Sequence, residues 1–123
     1  AAIGYAAGKT YDSHTKESTK VNARCNLRHL EKGLIYCFHW QEVKKEDIHK
    51  LEAYCKSQNS SKIKAYYYKD NRSCKQNASG KCKFFEQFKK GAKEALLYYY
   101  HDLKPYTTQE AHCKVFGQYQ KLK

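Results

Sequence analysis

Six cysteines, Cys25, Cys37, Cys55, Cys74, Cys82 and Cys113, are spread through 123 residues, and no two are close enough to form a CxxC pair. Structural zinc sites draw their ligands from closely spaced pairs, so this even, widely spaced set reads as three cross-links and no metal cage. The spacing leaves the pairing of the six open. Disulfides persist in oxidising compartments, which points outside the cytosol.

Asn59, Asn71 and Asn77 each begin an Asn-x-Ser triplet without proline, the acceptor pattern for N-linked sugar. The chain opens at Ala1 with neither a basic n-region nor an apolar h-region, and so reads as a mature form with its signal removed. No apolar run reaches membrane-crossing length. The expectation is a secreted, soluble protein with no membrane partner.

The net charge is +12, and residues 56–83 carry eight basic side chains against the single acid Asp70. Such a field raises encounter rates with acidic surfaces and sulfated polysaccharide and is weakened by salt. A secreted chain makes nucleic acid a poor partner. The bland alternative is that lysine keeps the chain soluble. Tyrosine occurs 12 times, including the triplets Tyr66–Tyr68 and Tyr98–Tyr100. Tyrosine combines apolar bulk with a polar tip and serves both cores and interfaces.

Residues 1–17 are small, polar and aperiodic and read as a flexible N-terminal arm, leaving residues 18–123 as a single disulfide-linked domain. Apolar residues at helical spacing follow: Leu27, Leu30, Leu34, Cys37 and Phe38, then Ile48, Leu51, Tyr54 and Cys55, then Ile63, Tyr66 and Tyr67. Gly33 weakens the first of these helices without breaking it. Residues 70–80 read as a loop. A long helix is expected from a Ser79 cap through Phe85, Phe88, Ala92, Ala95, Leu96, Tyr99 and Leu103 to Pro105. A Thr107–Glu110 capping box then opens a last helix with Ala111, Val115, Phe116 and Tyr119 inward. No internal repeat is seen. The expected fold is all-α, a compact bundle of about four to five helices held by disulfides.

Catalytic signatures are thin. The chain has no GxSxG elbow, HExxH helix or P-loop, and His101–Asp102 are sequence neighbours that would diverge on a helix. No cofactor and no metal are expected. The activity is assigned to a surface, with lysines among aromatics as interface anchors. The candidate contact residues are Lys62, Lys64, Tyr68, Lys69 and Arg72, with Lys83, Lys89, Lys90, Lys93, Tyr98 and Tyr100 further along the chain.

Three segments carry a family likeness: RCNLRHLEKGLIYCFHWQE (24–42), KIKAYYYKDN (62–71) and KCKFFEQFKKGAKEALLYYYHDLKPYTTQEAHCKVFGQY (81–119). They resemble the small basic salivary proteins of anopheline mosquitoes, the albicin- and anophensin-like group. The resemblance implies a secreted, disulfide-linked, all-helical protein of saliva that acts on host defence by binding, without catalysis. Its albicin-like branch implies inhibition of the alternative complement pathway through the C3 convertase, C3b-Bb. Its anophensin-like branch implies a block of contact activation through factor XII and kininogen, or through the polyanionic surfaces on which that system runs. A small-ligand carrier is a third class. The cysteine spacing lacks the short gap of an odorant-binding-type fold and counts against it.

Overall fold

The computed structural model describes residues 20–123, and the expected arm at 1–17 lies outside the described residues. Its chain order is β1 (Lys20–His29), β2 (Gly33–Lys44), α1 (Lys45–Ser57), β3 (Ile63–Tyr68), β4 (Gly80–Phe84), β5 (Glu94–Tyr99), α2 (Gln109–Lys114) and β6 (Gly117–Lys121), with one short 3-10 turn at Glu86–Phe88. The six strands form a single antiparallel sheet in the order β3-β1-β2-β5-β4-β6. The all-α expectation is therefore overturned: of the expected helices, only those around 48–55 and 109–114 exist.

The reason lies in the side chains. Ala23, Cys25 and Leu27 alternate along β1, Tyr36, Phe38 and Trp40 along β2, and Ala95, Leu97 and Tyr99 along β5, all turned to one face of the sheet. Aromatic rings pack well on a pleated surface. Cys37 and His39 on β2 and Leu96 on β5 are buried on the opposite face. Strands covered on both sides read as continuous apolar runs, which also satisfy a helical pattern. Gly33 is the exit of the β1–β2 turn, where its φ of +78° suits glycine and where His29 Nδ1 accepts hydrogen bonds from the Glu31 and Lys32 amides.

Helix α1 forms where Ile48, Leu51, Tyr54 and Cys55 share one face. Glu46 and Asp47 lie in its first turn, Lys56 in its last, and Asp47–Lys50 and Glu52–Lys56 pair along its outside. Helix α2 starts one residue later than the capping box suggested: the Thr108 hydroxyl accepts from the Ala111 amide. Ala111 and Val115 are exposed, contrary to the expected inward face. Ser79 precedes β4 instead of capping a helix, and its amide donates to the Tyr99 carbonyl.

The chain is a twofold repeat that the sequence conceals. Each half runs β-β-α-β, and its third strand returns to the outer side of its first. Cys25 on β1 bonds to Cys55 on α1, and Cys82 on β4 bonds to Cys113 on α2, at separations of 30 and 31 residues. Tyr67 lies beside Cys25 as Tyr119 lies beside Cys82. The halves meet where β2 pairs with β5, and Phe38 faces Leu97 at the local dyad. Both helices cover the same sheet face. The third disulfide, Cys37–Cys74, ties residues 69–79 across the other face. All six cysteines are paired, which fits an oxidising, extracellular environment. Among the described residues no helix is long and apolar enough to cross a membrane.

Candidate binding face

The face opposite the helices gathers basic and aromatic side chains. Alternation places Lys64, Tyr66 and Tyr68 of β3 there, with Arg24, Asn26 and Arg28 of β1. Cys37 and His39 of β2, Leu96 and Tyr98 of β5, and Lys81 and Lys83 of β4 follow across the sheet. From β3 to β4 is four strand steps, roughly 19 Å. Across the middle runs the 69–79 segment with Lys69, Arg72 and Lys75. The residues of the open rows are accessible: Tyr66 is 41% exposed and Tyr68 38%, and Lys64, Lys69, Arg72 and Lys83 are exposed.

Under the segment lies a buried polar layer. Arg24 donates to Asp70 at 3.1 Å, and its guanidinium lies 4.3 Å from the centre of the Tyr68 ring. Burial raises the Asp70 pKa, but the Arg72 amide, the Arg24 hydrogen bond and the charges of Arg24 and Arg72 bring it below the ordinary carboxylate value. The His39 pKa is lowered by burial and by the positive charge of Arg24, with Asp70 acting in the opposite sense. Arg24 Nε, Asn26 Oδ1 and His39 Nε2 are buried and have no hydrogen-bond partner among the described residues. Burial pushes the Tyr100 hydroxyl up to about 12, and that hydroxyl donates to the Lys75 carbonyl at 2.7 Å. Tyr100 therefore anchors the segment.

The eleven candidate contact residues divide. Lys64, Tyr68, Lys69, Arg72, Lys83, Tyr98 and Tyr100 share this face, although Tyr98 and Tyr100 are half-buried and Lys83 lies 3.6 Å from Glu94. Lys62 lies in the turn before β3, where its carbonyl accepts from the Leu30 amide. Lys89, Lys90 and Lys93 belong to the β4–β5 connection: Lys89 pairs with Glu86, Lys93 with Glu42, and Lys90 stacks on Tyr54 beside α1. Sequence reasoning missed Tyr66, Arg28 and Lys81. The alternation Lys64-Tyr66-Tyr68 was the signal for the first, hidden by assuming a helix.

The three glycosylation triplets are exposed at Asn59, Asn71 and Asn77. Asn59 closes the α1–β3 turn, with its amide donating to the Lys56 carbonyl and its Oδ1 accepting from the Ala65 amide. Asn71 and Asn77 lie on the covering segment, so a sugar there would stand directly on the basic face. Among the described residues no group of three or more His, Cys, Asp or Glu side chains is arranged to hold a metal ion.

No family model matches the chain, and no curated protein or solved structure matches it.

Proposed function

We propose that the protein is a secreted salivary binding protein that docks an acidic patch of a host plasma protein complex through its lysine- and tyrosine-bearing sheet face. One observation carries this reading. Lys64 of β3 and Lys69 and Arg72 of the crossing segment project beside two exposed tyrosines, on a sheet and segment that disulfides brace, so the anchors are pre-ordered and little entropy is lost on docking. A protein partner would need to bury roughly 1,200–2,000 Å² in total, which a face of this breadth can offer.

The C3 convertase, C3b-Bb, is the target in this reading, with inhibition of the alternative complement pathway as the outcome. That choice rests on the segment resemblance alone, because the strands found here depart from the all-helical fold that the resemblance implied. A second reading has its own support: lysines spread over a flat face suit sulfated polysaccharide and the polyanionic surfaces of contact activation, with factor XII and kininogen.

Lysis of rabbit erythrocytes by human serum in magnesium–EGTA isolates the alternative pathway. Suppression by micromolar protein is expected, and unchanged lysis defeats the convertase reading. Salt-sensitive retention on heparin together with unchanged lysis would move the function to the polyanion.

A further inference from the structure

On the other face of the sheet, the two helices straddle the local dyad without closing over it. The gap between them is a cavity of about 410 Å³, within the range of roughly 300–1,000 Å³ typical of small-molecule sites. Phe38 and Leu97, the residues that meet at the dyad, form its floor. Tyr54 of α1 walls one side, and Phe88 and Phe116 wall the other, their rings 5.6 Å apart and nearly perpendicular. The lining is apolar and mostly aromatic.

Three polar side chains also line the cavity, two beside α1 and one from α2. Lys90 is exposed, and its ammonium lies 4.4 Å from the centre of the Tyr54 ring. Among the described residues Lys90 makes no ion pair, unlike its neighbour Lys89, which meets Glu86 at 3.2 Å. Gln58, just past the end of α1, also lines the cavity. His112 reaches it from α2, with Nδ1 in a 2.7 Å hydrogen bond to the Tyr99 hydroxyl, and burial lowers the pKa of its ring. Among the described residues the charge at the cavity is thus the Lys90 ammonium.

We propose that this cavity is a binding site for a small amphipathic carboxylate of the fatty-acid type, its chain lying on the Phe38–Leu97 floor between the aromatic walls and its carboxylate meeting Lys90. An organic cation is disfavoured there because the Lys90 ammonium already occupies the Tyr54 ring face, and because the whole chain carries +12. A neutral apolar ligand would leave the ammonium unpaired. The site lies on the sheet face opposite the basic face described above and does not depend on it.

The test uses the intact oxidised protein and calorimetric titration with dodecanoate and, separately, dodecyltrimethylammonium, both below their micellar concentrations. One dodecanoate per chain is expected, bound about tenfold or more tighter than the cationic amphiphile. Lys90→Glu changes only an exposed side chain, and it should weaken dodecanoate about tenfold and erase the preference. Gln58→Trp places an indole beside the cavity and should abolish binding, with far-ultraviolet circular dichroism and an unchanged melting temperature reporting that the fold is intact. Equal affinity for the two amphiphiles, dodecanoate binding indifferent to both substitutions, or no binding at millimolar ligand would each overturn the proposal.

Discussion

The guanidinium of Arg24 meets the carboxylate of Asp70 at 3.1 Å, joining a buried side chain of β1 to the segment that crosses the sheet above it. The side chain of Arg24 is 10% exposed and that of Asp70 34%, so the pair sits at the boundary of the interior. Replacing Asp70 with Asn would leave Arg24 buried beside a neutral amide. The expected loss is about 1–3 kcal/mol in urea unfolding, because a buried charge stripped of its partner costs more than the pair itself contributed.

The Cys37–Cys74 bond holds this same segment down. Converting both residues to Ala should lower stability by up to about 3–4 kcal/mol, the chain-entropy value for a loop of this length. Limited proteolysis should then cut within 69–79 while β4 and β5 stay protected. Cleavage elsewhere first would show that the bond braces the whole sheet.

Acid should weaken the fold in two stages. His39 and His112 are both held below the ordinary imidazole value. From about 6.5 down to their lowered values the unfolded chain binds protons that the folded chain refuses, so stability falls as pH drops through that window. Asp70 is also held low, and its contribution is lost only below the ordinary carboxylate value of about 3.9, as pH falls toward its lowered value. Urea midpoints measured between pH 7.5 and 3 should decline through both windows, and His112→Gln should flatten the first.

Gly117 opens β6 where a Cβ would collide with the backbone of Lys83 and Phe84. Gly117→Ala should cost about 1–3 kcal/mol, the usual penalty of forcing an extra group into a packed site. Thermal unfolding checks this. An unchanged melting temperature would mean that β6 pairs with β4 more loosely than described.

Changing Lys64 and Lys69 together to Glu should weaken partner binding markedly while stability moves by less than about 0.5 kcal/mol, since both are exposed. Full retention of binding would move the contact surface off this face.

The sequence revealed the cross-linked framework, the α1 helix and the irregular character of residues 70–80, because each has a local cause: cysteine count, a helical stripe with charged ends, and turn-forming residues. It concealed the sheet. Tyr98–Tyr100 fits either geometry, since Tyr99 turns inward and its neighbours outward in both. What separates helix from strand here is the pairing of β2 with β5 across more than 50 residues, and no local pattern records such a partner. The repeat was hidden for a related reason. Cys25 and Cys82 are equivalent, yet thirteen residues separate Cys25 from Phe38 and fifteen separate Cys82 from Leu97, so no fixed period runs through the chain. Seven of the contact candidates lie on one face because they cluster in and around strands that alternate. The others scatter because charge density along a chain does not say which side of a sheet it reaches.

The equivalence of Cys25–Cys55 and Cys82–Cys113 has a last consequence. Each half carries its own internal rivet, which ties its helix covalently to its own first strand. Exposed residues on both outer faces are thereby released from architectural duty and are free to vary under selection by whatever the molecule meets outside the cell.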